Sequence, residues 1–413
     1  MPCFLMTVTT YQVVPVTLTR LFVNCGERES ARAMGGGETC GGEGSEGRER
    51  EREWEEAAEA VAYDSCTWPP PVVVVCGPGN SGKSAFSRLL LNTLLGRYKK
   101  VAYLDTDVGQ PEFTPPGFVS LHVLEEQTKD LTMIYLRPPK RCFFFGDVGA
   151  HKNPKLLLKY IFGLYDYFLQ ELYCFNETDN RQKSAIPLVV NTSGWVKGIG
   201  LHVLSEILRY VSPTDVIRLC TTSEGKNLPD GKFWLDVHKG DSRVNLIEIR
   251  ASQNSPRHLL VKKEARMIRD LRLIAYFRQC LPRDFPIFSC GDLVQGFAAI
   301  EPSHLPLSKI KVIDLHCQFS GDALYDFLTG TIVGLGSSKC VSLSTECSSP
   351  WCIGLGFIKA VDIPGNCIHL ITPASHRLIE NVDIVFRSCI AAPTCLLQVL
   401  DEVDDITDRL RNL

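Results

Sequence analysis

An α/β fold is predicted, a parallel sheet flanked by helices and followed by a β-rich C-terminal domain. Three observations predict it. From Trp68 onward, short β-branched runs alternate with stretches of helical periodicity. A glycine-rich turn joins the first of these runs to the first helix. After Phe285 the texture changes to short apolar runs separated by Gly, Pro and Ser. At roughly 150 residues per domain, a chain of 413 residues has room for two or three domains.

Residues 1–25 read as strand-like but are too short to close a β domain. Residues 26–60 are Gly-rich and then alternate Glu with Arg, with little to bury. They read as a flexible, solvated linker, the other reading being an exposed helix near Arg48–Ala60. Residues 1–68 are therefore expected to form a low-complexity, disordered N-terminal extension. PPPVVVVC, Pro69–Cys76, reads as a buried strand, and Lys83–Tyr98 as an amphipathic helix with Leu89, Leu90, Leu94 and Leu95 at helical spacing. Further strands are expected at Val101–Asp105, Leu131–Leu136, Pro187–Asn191 and Asp215–Cys220, with helices at Pro154–Tyr173 and Ile199–Val211. Short buried strands alternating with helices imply a parallel sheet covered on both faces. A basic helix, Lys262–Cys280, ends this first domain, residues 69–285. The runs KVIDLHC, GTIVGLGS, CIGLGFIKAVDI and CIHLIT mark strands of the second, residues 286–413.

Composition narrows the function classes. The net charge of −3, from 44 basic and 47 acidic residues, excludes coating of nucleic acid through overall charge but leaves room for a local basic groove. The 17 cysteines are odd in number, scattered and contain no C-x-x-C pair, so the spacing indicates neither a zinc site nor a disulfide framework. Reduced thiols in cytosol or nucleus fit that pattern. No apolar run reaches the ~18 residues of a membrane span, and no membrane partner is expected. The first residues lack a basic n-region, which argues against a secretory signal; the absence of any acid before Glu27 leaves a mitochondrial-transit reading open.

The strongest chemical signal is GPGNSGKS: Gly77, Pro78, Gly79, Asn80, Ser81, Gly82, Lys83 and Ser84 fit G-x-x-x-x-G-K-[ST] between a strand and a helix. This is a phosphate-binding P-loop. Its glycines let backbone N–H groups turn inward around a phosphate chain, and the helix N-terminus adds positive potential. Lys83 is placed to reach the β/γ-phosphates and Ser84 to ligate Mg²⁺, so ATP and Mg²⁺ are the expected cofactors.

A second constellation, LDTDVGQPEFTPPG, follows the next strand. Carboxylates at the C-terminal end of a parallel strand lie beside the ligand crevice of an open α/β sheet. Asp105 and Asp107 are candidates to hold the metal shell or to accept the proton of an attacking hydroxyl; a turn or cap role is the alternative for each. A third, VVNTSGWVKGIG, puts Trp195 on a strand-to-helix loop at the same edge, suited either to stacking on a nucleobase or to covering a hydrophobic seam.

The chain has no [NT]-K-x-D guanine motif and no L-S-G-G-Q signature, which argues against a GTPase and an ABC ATPase. Between Ser255 and Phe285 eight Lys/Arg face three Asp/Glu, a local balance of +5. Arg266, Arg269 and Arg272 recur every three residues and so share one helix face, the feature of a kinase lid that brings cations to a transferring phosphoryl group. A merely solvated basic face is the other reading.

Taken together, GPGNSGKS, YLDTDVGQPEF, FFGDVGAHKNP, VVNTSGWVKGIG, RMIRDLRLIAYF and GLGFIKAVDIPGNCIHLITP resemble the polynucleotide 5′-hydroxyl-kinase family over roughly residues 70–400. That family includes a nucleolar pre-rRNA processing kinase and a kinase-related subunit of the pre-mRNA 3′-end cleavage machinery. The resemblance implies ATP·Mg²⁺ on Lys83 and Ser84, with Asp105 in the metal shell. It implies that Asp107 orients or deprotonates an RNA 5′-hydroxyl, that Trp195 clasps the substrate base with Gln110 nearby, and that Arg269 and Arg272 act as lid arginines. The chain departs from the family at Phe145–Gly149, where Asp147 follows the Phe-Gly pair in place of a polar Thr or Ser. Residues 1–68 read as too short and too low in complexity to be, intact, the β-rich domain that commonly precedes the P-loop in that family. The expected function is an ATP-dependent kinase of RNA 5′-OH ends, DNA ends being compatible, in rRNA processing. The expected partner is an endonuclease-containing RNA-processing complex, and the expected location the nucleus and nucleolus. An ATP-bound, non-catalytic scaffold subunit and a small-metabolite kinase are the alternatives.

Overall fold

The structure is a computed structural model that describes residues 43–62, 69–128, 135–173, 185–235, 244–251, 258–316, 325, 327–341 and 349–400. The run VVVVC has no polar position, and only a strand covered on both faces buries such a run. It forms β1 (Val72–Cys76), buried at every residue. The first sheet continues with β2 (Val101–Asp105), β3 (Phe118–Leu124), β4 (Arg141–Phe144), β5 (Leu188–Asn191), β6 (Asp215–Cys220) and β7 (Asn245–Arg250). Its order is β4-β3-β2-β5-β1-β6-β7. The strands β2, β5, β1, β6 and β7 run parallel, as expected.

Two antiparallel strands at one end, β3 and the edge strand β4, extend the sheet beyond the parallel arrangement read from the sequence. Their segments lie in a Pro/Gly-rich stretch and a short Phe run, which lack the strand-helix alternation used to find the others. The strand expected at Leu131–Leu136 lies mostly outside the described residues.

Residues 43–62 correct the linker reading. They form α1 (Glu43–Ala62), and Ala57, Ala58, Val61 and Ala62 are buried in the same core as Val73, Val75, Phe86 and Leu90. Glu and Arg favour helix intrinsically, and the small apolar residues among them supply a stripe narrow enough to be hidden by the charges. The Trp54 indole meets the Phe86 ring edge to face at 5.7 Å, and its Nε1–H donates to the Arg250 carbonyl at 2.9 Å. A boundary at residue 68 therefore separates α1 from the core it helps to build.

Further helices are α2 (Lys83–Leu95), α3 (Pro154–Glu171), α4 (Ile199–Val211), α5 (His258–Phe277), α6 (Cys290–Ala298) and the short α7 (His376–Ile379). A second, six-stranded sheet follows. Its strands are β8 (Ser303–Pro306), β9 (Lys311–Asp314), β10 (Ile332–Val341), β11 (Pro350–Asp362), β12 (Cys367–Ile371) and β13 (Ile384–Arg387), in the order β8-β12-β11-β10-β13-β9. It is antiparallel apart from the β13–β9 pair. The two sheets share one apolar core in which Phe118 and Phe144 pack with Ile274 and Phe277 of α5 and with Phe357 and Phe386. Their approach is close enough to require glycine at 334, where a Cβ would meet the Phe144 ring at 2.3 Å. Among the described residues no helix is long and apolar enough to cross a membrane.

Candidate active site at the ends of three adjacent strands

The neighbours β2, β5 and β1 are parallel, so their C-terminal ends lie at one edge of the sheet. Each continues into a motif singled out in the sequence: β1 into the P-loop, β2 into Thr106–Phe113, and β5 into Thr192–Trp195. Topology thus gathers segments spread over residues 77–195 at the edge where open α/β sheets bind ligands.

The P-loop turns through two left-handed residues, Asn80 at φ 60° and Gly82 at φ 92°, before α2 begins at Lys83. Lys83 is 7% exposed, and its ammonium donates to the Pro78 carbonyl at 2.8 Å. Burial pushes the Lys83 pKa down, and the Asp107 carboxylate opposes that shift. Ser81 is fully buried, and its hydroxyl has no hydrogen-bond partner among the described residues. A desolvated cation, an unsatisfied hydroxyl and the first-turn amides of α2 make a donor set that fits a phosphate chain. Ser84, half-buried on that same turn, presents an oxygen ligand of the kind Mg²⁺ prefers.

Asp107 lies on the loop beyond β2, half-buried, and accepts from the amides of Gly109 at 3.0 Å and Gln110 at 3.1 Å through one oxygen, Oδ1. This local turn fixes the carboxylate in a field that Lys83 shares. Gln110 is exposed beside it.

Asp105 departs from the metal-ligand expectation. It is fully buried, with Oδ1 accepting from the Asp107 amide at 3.2 Å and Asn191 Nδ2 at 3.1 Å, and Oδ2 from the Glu112 amide at 2.6 Å. Burial raises its pKa to about 7, while the hydrogen bonds pull the other way. All of its partners are donors, which suits the ionised carboxylate. With no exposed oxygen, Asp105 organises the Asp107 loop from beneath.

The arginines of α5 divide. Arg266 is exposed, and Arg269 is half-buried beside Asp270. Arg272 is buried and donates to the Glu112 carbonyl; burial works against its charge, and the Glu112 and Asp105 carboxylates support it. Arg272 therefore braces the tail of the Asp107 loop, whose Glu112 also faces Arg88 at 3.6 Å. The last turns of α5 are fixed as well, the Tyr276 hydroxyl accepting from the Leu355 amide at 2.8 Å. This end of the helix is part of the core, contrary to the expectation of a lid, because Arg272 is followed by Leu273, Ile274 and Phe277, which pack in the core shared by both sheets.

Trp195 is half-buried. One side packs on the apolar core and the rest is accessible, with the His151 ring edge-on at 6.3 Å. A groove of about 430 Å³ opens between the first turns of α3 and α4, lined by Lys152, Lys155, Leu158, Ile199 and His202 among others.

Sequence reasoning did not single out Asn191, Glu112 or Gly194. The first two are buried polar groups whose partners come from other elements, Asp105 of β2 for Asn191, and Arg88 of α2 and Arg272 of α5 for Glu112. Gly194 is the contact between two motifs: a Cβ there would fall 2.5 Å from Gly79 Cα and 2.7 Å from Gly79 N. Such a clash with backbone is relieved only by moving the P-loop, and a shift of ~1 Å at a catalytic constellation costs about 10²-fold. Gly194→Ala is accordingly expected to weaken ATP binding at least tenfold in a fluorescent-nucleotide titration, with the circular dichroism unchanged. Unaltered affinity would show that the two loops are not coupled.

Comparisons with known proteins match both parts of this chain. A family model described as the mRNA cleavage and polyadenylation factor CLP1 P-loop matches residues 77–279, and one described as the NOL9-like C-terminal domain matches residues 298–393. The chain is 43% identical to the polynucleotide 5′-hydroxyl-kinase NOL9 of Arabidopsis thaliana, over 84% of this chain and 93% of that protein. It is 26% identical to the mouse protein of the same name, over 82% of this chain and 50% of that protein. With the human one it shares 24% identity, over 79% of this chain and 50% of that protein, so it spans about half the length of these mammalian relatives. The solved structure of Clp1p in its complex with Pcf11p has the same fold, with a TM-score of 0.58 at 16% identity, covering 83% of this chain and 79% of that one. The chain belongs to the NOL9 family of polynucleotide 5′-hydroxyl-kinases.

Proposed function

We propose that this chain transfers the γ-phosphoryl group of ATP to the 5′-hydroxyl of RNA ends, with Mg²⁺, during rRNA processing in the nucleolus and alongside an endonuclease-containing complex. The observation that carries the reading is the juxtaposition of Lys83 and Asp107 across two adjacent loops, one built for phosphate and the other presenting a carboxylate to a hydroxyl.

Asp107, held by its own turn, orients the 5′-hydroxyl and takes its proton as the new P–O bond to the γ-phosphorus forms and the bond to the β–γ bridging oxygen breaks, releasing ADP. Lys83, already stripped of water, stabilises the charge that grows on the phosphate oxygens without further reorganisation. Ser84 is the side chain placed to hold Mg²⁺, which when bound neutralises charge on the phosphate oxygens. Arg269, half-buried on α5, is the arginine left to act as a lid, while Arg272 keeps the loop in shape. The exposed part of Trp195 offers a face to the terminal base, and Lys152 and Lys155 offer charge to the following phosphates. DNA ends present the same hydroxyl and phosphates.

Base stacking on an aromatic ring is worth about 1–3 kcal/mol. Trp195→Ala is therefore expected to raise the KM for a 5′-OH oligonucleotide by about fivefold or more, leaving the KM for ATP unchanged. A rise in both constants would assign Trp195 to the core alone. The nucleolar setting and the rRNA-processing role are what the resemblance of the sequence motifs to this kinase family implies.

A further inference from the structure

The cysteine spacing indicates no zinc site, yet the second sheet brings together ligands that the spacing conceals. His304 on β8 and His369 on β12 are direct cross-strand partners, and Cys367 is two residues from His369 on the same strand. Side chains directly opposed or two apart share one face of a sheet. The alternation of burial agrees: Leu305, Ile368 and Leu370 point into the core, while His304 is exposed and Cys367 and His369 are half-buried.

The ligand atoms of these three residues lie within 4.8 Å of one another. Cys367 Sγ is 3.7 Å from His304 Nδ1, and the two imidazole rings stand perpendicular at 4.8 Å between centroids. Zinc bonded at about 2.0–2.3 Å to sulfur and nitrogen needs ligand atoms roughly 3.5 Å apart, which a small side-chain rotation provides. The frame beneath them is stiff. The β11–β12 turn holds Asn366 at φ 54°, its carbonyl accepts from the Leu307 amide at 3.0 Å and its side chain from the Ser308 amide at 3.1 Å.

We propose that His304, Cys367 and His369 bind one zinc ion. A thiolate with two imidazoles is a borderline-soft set suited to Zn²⁺, and three protein ligands leave the fourth position to water. β8 is the edge strand and its sheet partner is β12 alone, so the ion ties that edge to the sheet and blocks it against pairing with another chain. Metal binding of this kind adds its free energy to folding. The site is remote in sequence from the P-loop, and the proposal stands apart from the kinase reading.

The test is metal analysis of the full-length chain purified without a metal-affinity tag, together with Co²⁺ titration of the metal-stripped chain. The expected result is one zinc per chain and, with Co²⁺, the intense visible bands of tetrahedral thiolate-bound cobalt. Both are lost in Cys367→Ser and in His304→Ala, and both are retained in Lys83→Ala. His304 is exposed, so its variant folds, and circular dichroism checks this. Zinc far below one per chain, or zinc and cobalt signals unchanged in the His304 and Cys367 variants, overturns the proposal and assigns the metal to other thiols.

Discussion

Lys83→Ala loses at least 10²–10³-fold in label transfer from γ-labelled ATP to a 5′-OH oligonucleotide, the effect of removing a preorganised charge from a developing anion. The size of the loss follows from where Lys83 sits. Its ammonium is already desolvated, so its attraction for phosphate is little screened by water. Truncation removes a charge that burial opposes, so folding is not compromised, and a thermal melt matching the unsubstituted chain confirms that. Transfer within a few-fold of the unsubstituted rate would place the phosphate chain elsewhere.

Asp107→Asn separates chemistry from architecture. Asparagine keeps an oxygen for the amides of Gly109 and Gln110, so the turn that positions the side chain survives. What disappears is the negative charge and the capacity to take a proton. General-base contributions of about 10²–10⁴-fold are expected to appear in kcat, with ATP affinity in a fluorescent-nucleotide titration within about twofold of the unsubstituted chain, a margin of ~0.4 kcal/mol. If kcat is unchanged, the hydroxyl is activated by another group. If ATP affinity collapses, Asp107 serves nucleotide binding.

What the sequence made legible and what it hid follow one physical line. The P-loop, Asp107 and Trp195 were visible because each directly follows a short buried strand, and local chemistry demands those residue types at that spacing. The parallel part of the sheet was visible for the same reason, its strands being uniformly apolar. The helix α1 was one of two readings, but its burial was hidden because Trp54, Ala57, Ala58 and Val61 form a narrow stripe among Glu and Arg. The charge of α5 suggested a lid, but Leu273, Ile274 and Phe277 tie its last turns into the core shared by both sheets, and Arg272 is buried with them. Asp105 looked like a metal ligand because sequence shows a carboxylate at a strand end but not the three donors converging on it. The His304–Cys367–His369 cluster depends on strand register between segments 63 residues apart, which no local pattern encodes.

The central claim is that the two loops beyond β1 and β2 form a phosphoryl-transfer site acting on polynucleotide ends. The most direct measurement is a single-turnover reaction of the purified chain with γ-labelled ATP and paired RNA and DNA oligonucleotides bearing 5′-OH ends, run beside Lys83→Ala. Label appearing on the RNA 5′ end, and absent with the variant, is the predicted result. Stable occupancy by ATP with no transfer to any 5′-OH end would contradict it and identify the chain as a nucleotide-loaded scaffold.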